Sequence, residues 1–154
     1  MSEVNVSIDI AAPTQVVYDF MLDPERLHEW VTIHKELLAH ETHTPPQTGD
    51  GMEQRLTIRG ATFKVSWKLT TGDRPWHAMW KGKGPARSKA ETEYTLEELP
   101  DGGTRFLYRN DFSAPFGPLG SVASKALVGG VPEREANESL KRLKDILERE
   151  QAAS

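Results

Sequence analysis

The sequence predicts an α+β chain: a curved antiparallel sheet of about seven strands wrapped around a long C-terminal helix, with two short helices between strands 1 and 2. Three observations predict it. Apolar and polar residues alternate in a series of separate runs, a period of two that marks strands with one buried face. Turn residues separate most of these runs so closely that consecutive strands pair antiparallel. From Val122 onward the apolar residues sit three or four apart, the signature of an amphipathic helix.

The first strand is "VNVSIDI", residues 4–10, with Val4, Val6, Ile8 and Ile10 on one face. "AAPTQVVYDFMLDPERLHEW" follows as helix. Pro13 suits the first helical turn, and Val16, Val17, Phe20 and Met21 recur at helical spacing. Asp23-Pro24 breaks this helix, and a short second one runs through Leu27 to Trp30. Strands are then expected at 33–43, 52–59, 62–71, 76–82, 88–98 and 104–113. Pro45-Pro46 with Thr48-Gly49-Asp50-Gly51, Arg59-Gly60, Gly72-Asp73-Arg74-Pro75, Gly82 to Pro85 and Pro100-Asp101-Gly102-Gly103 supply the turns. In the last segment Val122, Ala126, Gly129, Glu133, Ala136, Leu140, Leu143 and Leu147 share a helix face. Pro132 lacks a donor and clashes with the turn before it, so Gly129-Gly130-Val131-Pro132 predicts a kink or two helices. Glu133 and Glu135 then suit the start of the second helix, where the dipole favours anions.

The length of 154 residues fits one domain, 1–154, with room for a sizeable core. A net charge of −4 and the lack of a basic patch argue against nucleic acid as a partner. Lys81, Lys83, Arg87 and Lys89 read as a solvated strand face. The absence of cysteine excludes disulfides, thiolate nucleophiles and iron–sulfur ligation. "MSEVNVSIDI" has no basic segment followed by an apolar run, so a cytoplasmic location is expected. No apolar stretch approaches the length of a membrane span, so no insertion is expected. The chain is expected as a monomer or homodimer.

The dry face of the meander carries Leu56, Ile58, Phe63, Val65, Trp67, Trp76, Ala78 and Trp80. Ala90, Thr92, Tyr94, Leu96, Phe106, Tyr108, Asn110 and Phe112 continue it. This face is aromatic but not purely apolar. Buried Tyr, Trp and Asn need hydrogen-bond partners, and an orphaned group costs about 1–3 kcal/mol. Ala126, Gly129 and Gly130 offer little volume opposite these rings. Small against large either interdigitates or leaves a gap, and a gap in a dense interior is a site.

At this point the chain resembles the SRPBCC superfamily of START-like, helix-grip domains, most closely its polyketide cyclase/dehydrase-like branch. The resemblance rests on "IDIAAPTQVVYDFMLDPERLHEWV", "TGDGMEQRLTIRG", "YTLEELPDGGTRFLYRNDF" and "LKRLKDILE", and spans nearly the whole chain. It implies a deep cavity between sheet and long helix that holds a small hydrophobic or aromatic molecule. These motifs are structural, so they carry fold rather than activity. The Gly129-Gly130-Val131-Pro132 segment departs from the smoother helix usual in that branch.

Candidate ligand-binding residues are Trp30, Phe63, Trp67, Trp80, Tyr94, Tyr108, Asn110, Phe112, Ala126 and Gly130, with Trp30 as a gate and Trp76 capping one end. No Gly-x-Ser-x-Gly elbow, phosphate loop or dinucleotide fingerprint is present. Gly82-Lys83-Gly84 and Gly49-Asp50-Gly51 read as turn glycines. His40 and His43 lie three apart in a strand-like run and so face opposite sides, which argues against a shared metal. No cofactor and no metal are expected. Candidates for proton transfer are His34 and Glu36, two residues apart and so on one face of the second strand, with Tyr94, Tyr108 and Asn110 as donors. Arg55, Arg59 and Arg109 alternate with inward residues and are expected to face water. Three functions compete: a carrier or sensor of a small hydrophobic ligand (lipid-like or polyketide-like), a polyketide cyclase or dehydratase, and a protein-interaction module. The aromatic face and the lack of a catalytic signature favour the first.

Overall fold

A computed structural model describes residues 2–113 and 131–154. Seven strands form one antiparallel sheet: β1 (Ser2–Ile10), β2 (His34–Glu41), β3 (Gly51–Ile58), β4 (Ala61–Asp73), β5 (His77–Lys83), β6 (Lys89–Glu98) and β7 (Thr104–Ser113). Their spatial order is β1-β7-β6-β5-β4-β3-β2. The last six strands are therefore a plain meander, and β1 closes it by pairing with β7. Strands β1 and β2 follow each other in sequence yet occupy opposite edges. Helices α1 (Thr14–Leu22) and α2 (Leu27–Trp30), joined by a 3₁₀ turn at Pro24–Arg26, carry the chain across the gap. A third helix, α3 (Glu133–Ala153), ends the chain and lies along β1 and against α2.

Local chemistry explains the boundaries. Pro13 precedes the first helical residue as N-cap, and Val17, Phe20 and Met21 turn inward from α1. The Asp23 carboxylate accepts from the backbone N–H of Glu25 at 3.0 Å and starts the 3₁₀ turn. Pro132 is the N-cap of α3, and Glu133 and Glu135 occupy its positive first turn. The expected kink or split concerns residues that lie outside those described, apart from Val131 and Pro132.

Helix α3 buries Ala136, Leu140, Leu143 and Leu147 at spacings of three and four. Each leucine so buried contributes about 1.5–3 kcal/mol. Polar ties fix the helix along its length. The Thr32 N–H donates to Ser139 Oγ at 3.0 Å and the Thr32 hydroxyl to the Glu135 carbonyl at 3.2 Å. Lys144 Nζ donates to the Asp9 carbonyl at 2.8 Å, and the Ala11 N–H to Glu148 at 2.9 Å. The core fills the space between this helix, α1 and the concave sheet face.

Period two reads the inward face correctly except at two places. Trp76 lies in the turn before β5 and is 43% exposed, so it caps nothing inside. Gly82 follows the period, buried in β5 after Ala78 and Trp80, and only its reading as a turn glycine is corrected. The second place is β2, whose register against β3 shifts between His34 and Glu36. This bulge breaks the two-residue relation and sends the two side chains apart. The convex face is charged as expected. Arg55 pairs with Glu36 at 2.6 Å, and Arg109 reaches Glu93 at 2.9 Å and Glu91 at 3.3 Å.

Candidate functional site

Facing strands place the site's side chains by register. Met52 on β3 opposes Trp67 on β4, and Trp67 opposes Gly82 on β5. Because Gly82 has no side chain, the Trp67 ring lies over it: a Cβ there would stand 2.7 Å from Trp67 Cε3. In the next row Trp80 opposes Thr92, and Thr92 opposes Asn110. In the row after it Tyr94 opposes Tyr108. In the first two rows bulky rings thus flank small or polar residues, and in the third two phenols stand side by side.

A cavity results between the sheet and the helices. Its sheet wall is Met52, Gln54, Leu56, Trp67, Trp80, Thr92, Tyr94, Tyr108, Asn110 and Phe112. Leu27, Trp30, Val31 and Ile33, together with Val131, Ala136 and Ser139, complete the lining. All these side chains are uncharged. The free space is about 570 Å³ with its opening counted, but the centre of a water molecule reaches only about 40 Å³ of it. That is room for about three waters. In this state the cavity is a narrow slot.

Polar groups in the wall are tied to one another. Asn110 Nδ2 donates to the Thr92 hydroxyl at 2.8 Å and to the Tyr108 hydroxyl at 2.9 Å. Burial pushes the Tyr94 phenol well above its ordinary value of 10.0. Tyr108 rises from the same cause, with Asn110 opposing. Both phenols keep their protons at neutral pH, so they are available to donate hydrogen bonds and do not act as bases. Trp30, Tyr94, Phe106 and Tyr108 form a run of rings. Trp30 meets Tyr94 at 6.3 Å and Phe106 at 6.4 Å, Tyr94 meets Phe106 at 5.5 Å, and Tyr94 meets Tyr108 at 5.8 Å.

Gln54 links this wall to the sheet edge. Trp67 Nε1 donates to Gln54 Oε1 at 2.9 Å, and Gln54 Nε2 lies 2.7 Å from His34 Nδ1. An indole nitrogen is donor only, so the amide must turn its oxygen to Trp67 and its NH₂ to His34. His34 Nδ1 therefore accepts, and the ring is neutral with its proton on Nε2. Burial, and then the nearby His28, lower its pKa from the ordinary 6.5. The folded chain thus resists a proton that the unfolded chain accepts near 6.5. The stability this group contributes is complete above that pH and is lost as pH falls through the lower folded value. Nitrogen-15 NMR of the imidazole should show the Nε2–H tautomer at pH about 7.5 and a midpoint below 6.5. A midpoint at or above that value, or an Nδ1–H tautomer, contradicts this reading of the link.

The sequence-selected residues divide clearly. Trp30, Trp67, Trp80, Tyr94, Tyr108, Asn110 and Phe112 all border the cavity. Trp30 is 1% exposed, a wall residue and not a surface gate. Phe63 is buried beside Leu56 on the neighbouring strand but does not border the cavity. Ala126 and Gly130 lie outside the described residues. His34 stands behind Gln54, and Glu36 points outward to Arg55, so the proposed proton-transfer pair is not assembled. His40 hydrogen-bonds Thr42 at 2.8 Å and His43 pairs with Asp50 at 2.9 Å. Gln54, Met52, Leu27 and Ser139 were not singled out. Gln54 and Met52 sit at even spacing from Leu56, so strand period alone marks them.

A curved sheet gripping a terminal helix, with an aromatic slot between them, defines a class: the START-like, helix-grip domains of the SRPBCC superfamily. Within it, this chain belongs to the family described as polyketide cyclase/dehydrase and lipid transport, which it matches over residues 1–148. An uncharacterised protein of Mycobacterium tuberculosis is 30% identical over 135 residues, 85% of this chain and 92% of the relative. Among solved structures, the Zhui aromatase/cyclase from Streptomyces sp. R1128 superposes with a TM-score of 0.77 at 14% identity, covering 96% of this chain and 93% of that one. A protein from Thermus thermophilus superposes with a TM-score of 0.73 at 18% identity, covering 99% of each chain. At these identities the structural likeness shows the fold. Among the described residues, no helix is long and apolar enough to cross a membrane.

Proposed function

We propose that this protein is a carrier or sensor of a small hydrophobic or aromatic molecule, held between the sheet and α3. One observation carries the reading: the slot is walled by aromatic rings and uncharged polar groups converging from five strands and two helices. Ligand pockets have this composition, a mostly apolar wall with few polar anchors. The family's description, with lipid transport in it, fits a binding role. A cyclase or dehydratase needs a base near an acidic C–H. The described wall offers only phenols whose raised pKa suits them to donate. His34 reaches the wall only through Gln54. Binding therefore accounts for the arrangement better than proton transfer does.

The slot has room for about three waters, less than a two-ring guest fills, so binding such a guest requires the walls to part. Met52, unbranched and adaptable, is suited to yield. Native mass spectrometry of protein purified from its own host tests the reading. A retained small organic molecule is expected, released on unfolding. Protein of bare mass that also takes up no aromatic compound from a panel contradicts it. Trp80→Ala should cut retention per folded molecule at least tenfold, because Trp80 supplies a large aromatic area of the slot's wall. Unchanged retention in the folded fraction would remove Trp80 from the site.

A further inference from the structure

We infer that the slot selects a neutral, hydroxylated aromatic guest and excludes anions, with Trp30 and Asn110 as the specificity-determining residues. The inference rests on the ligand-holding reading above and names the chemistry of its guest. Two residues of the cavity wall each carry a buried polar atom with no hydrogen-bond partner: Trp30 Nε1 and Asn110 Oδ1. Both residues are more than nine-tenths buried, Trp30 at 1% and Asn110 at 4% exposure. Orphaned groups of this kind cost about 1–3 kcal/mol each, so two in one cavity mark places where a guest completes the bonding.

Their chemistry specifies the guest. An indole N–H only donates, so it requires an acceptor such as a carbonyl or hydroxyl oxygen. The far end of the Asn110 amide, opposite the end held by Thr92 and Tyr108, is Oδ1, which takes a donor such as a hydroxyl. A hydroxyl meets that end whichever way the amide is turned, since it both donates and accepts. The rings of Trp67, Trp80 and Phe112 suit an aromatic body between these points.

Charge supplies the exclusion. Among the described residues the wall holds no Lys, Arg or His to neutralise a carboxylate or phosphate. Burying an unpaired anion there costs far more than the hydrogen bonds return. A fatty-acid carboxylate or a phospholipid headgroup cannot sit inside the slot on these terms.

Three probes of similar size separate the possibilities, titrated calorimetrically into the full chain at neutral pH. They are 6-hydroxy-1-tetralone, which carries a ketone and a hydroxyl; tetralin, which carries neither; and 2-naphthoate, which is an anion. Hydroxytetralone should bind at least about tenfold tighter than tetralin, and naphthoate weaker than both. Trp30→Phe and, separately, Asn110→Leu should each reduce the ratio of hydroxytetralone affinity to tetralin affinity several-fold. The wild-type ratio stands on its own if either variant fails to fold. Equal binding of tetralin and hydroxytetralone overturns the polar subsites but leaves the ligand-holding reading intact. Naphthoate binding as tightly as hydroxytetralone overturns the exclusion of anions. Binding by none of the three overturns both readings.

Discussion

Phe106→Ala should lower the free energy of unfolding by about 3–5 kcal/mol, the loss expected for a large buried aromatic. Phe106 is fully buried on β7 and stands behind the slot, not in its wall. Its ring meets Trp30 edge-on at 86° and Tyr94 at 5.5 Å. Truncation leaves a void into which both wall rings can slump, so guest affinity should fall along with stability. Urea unfolding followed by tryptophan fluorescence measures the first effect, and titration of the surviving folded protein measures the second. A stability loss below about 1.5 kcal/mol would mean that the ring cluster does not support the wall.

Gly82→Val should be nearly as severe, for the opposite reason. A Cβ at position 82 meets Trp67 Cε3 and Val65 Cγ1 at 2.7 Å and Trp67 Cζ3 at 2.8 Å. Neither neighbour is the loose end of a flexible chain. The Trp67 ring also has its N–H committed to Gln54 at 2.9 Å. Overpacking of this kind costs about 1–3 kcal/mol, and the displaced indole must take Gln54 or the slot with it. Thermal melts should show a lowered midpoint, and the NMR signal of the Trp67 indole N–H should move or broaden. A variant with unchanged stability and an unmoved Trp67 signal would contradict the close approach of this ring to β5.

Gly82 also illustrates where sequence reasoning fails. In "WKGKGP" a pair of glycines before a proline reads as a turn, and nothing local says that the first serves a tryptophan on the adjacent strand. That information resides in the β4–β5 register. The same limit applies at β2. His34 and Glu36 share a face if the strand is regular, and the bulge that separates them depends on pairing with β3. Only the gate role given to Trp30 was misread, for another reason: α2 is four residues long, too short for periodicity to say how deep a side chain points.

Where elements are long, sequence was sufficient. Tyr94, Tyr108 and Asn110 follow from strict alternation along β6 and β7, and their polarity on a dry face already pointed to an unfilled interior. Gln54 was legible by the same rule. It sits between exposed or half-exposed neighbours at even spacing from Leu56. A buried glutamine between a tryptophan and a histidine fixes the protonation of one and the ring position of the other.

Binding of any guest depends on the slot opening between β-sheet and helices. The most direct measurement is a set of intermolecular NOEs from 6-hydroxy-1-tetralone to methyl-labelled protein. One bound molecule should show contacts to Met52 on the sheet side and to Leu27 and Ala136 on the helix side together. Contacts confined to surface methyls, or a saturating ligand that touches none of these three, would contradict a guest held between the two layers.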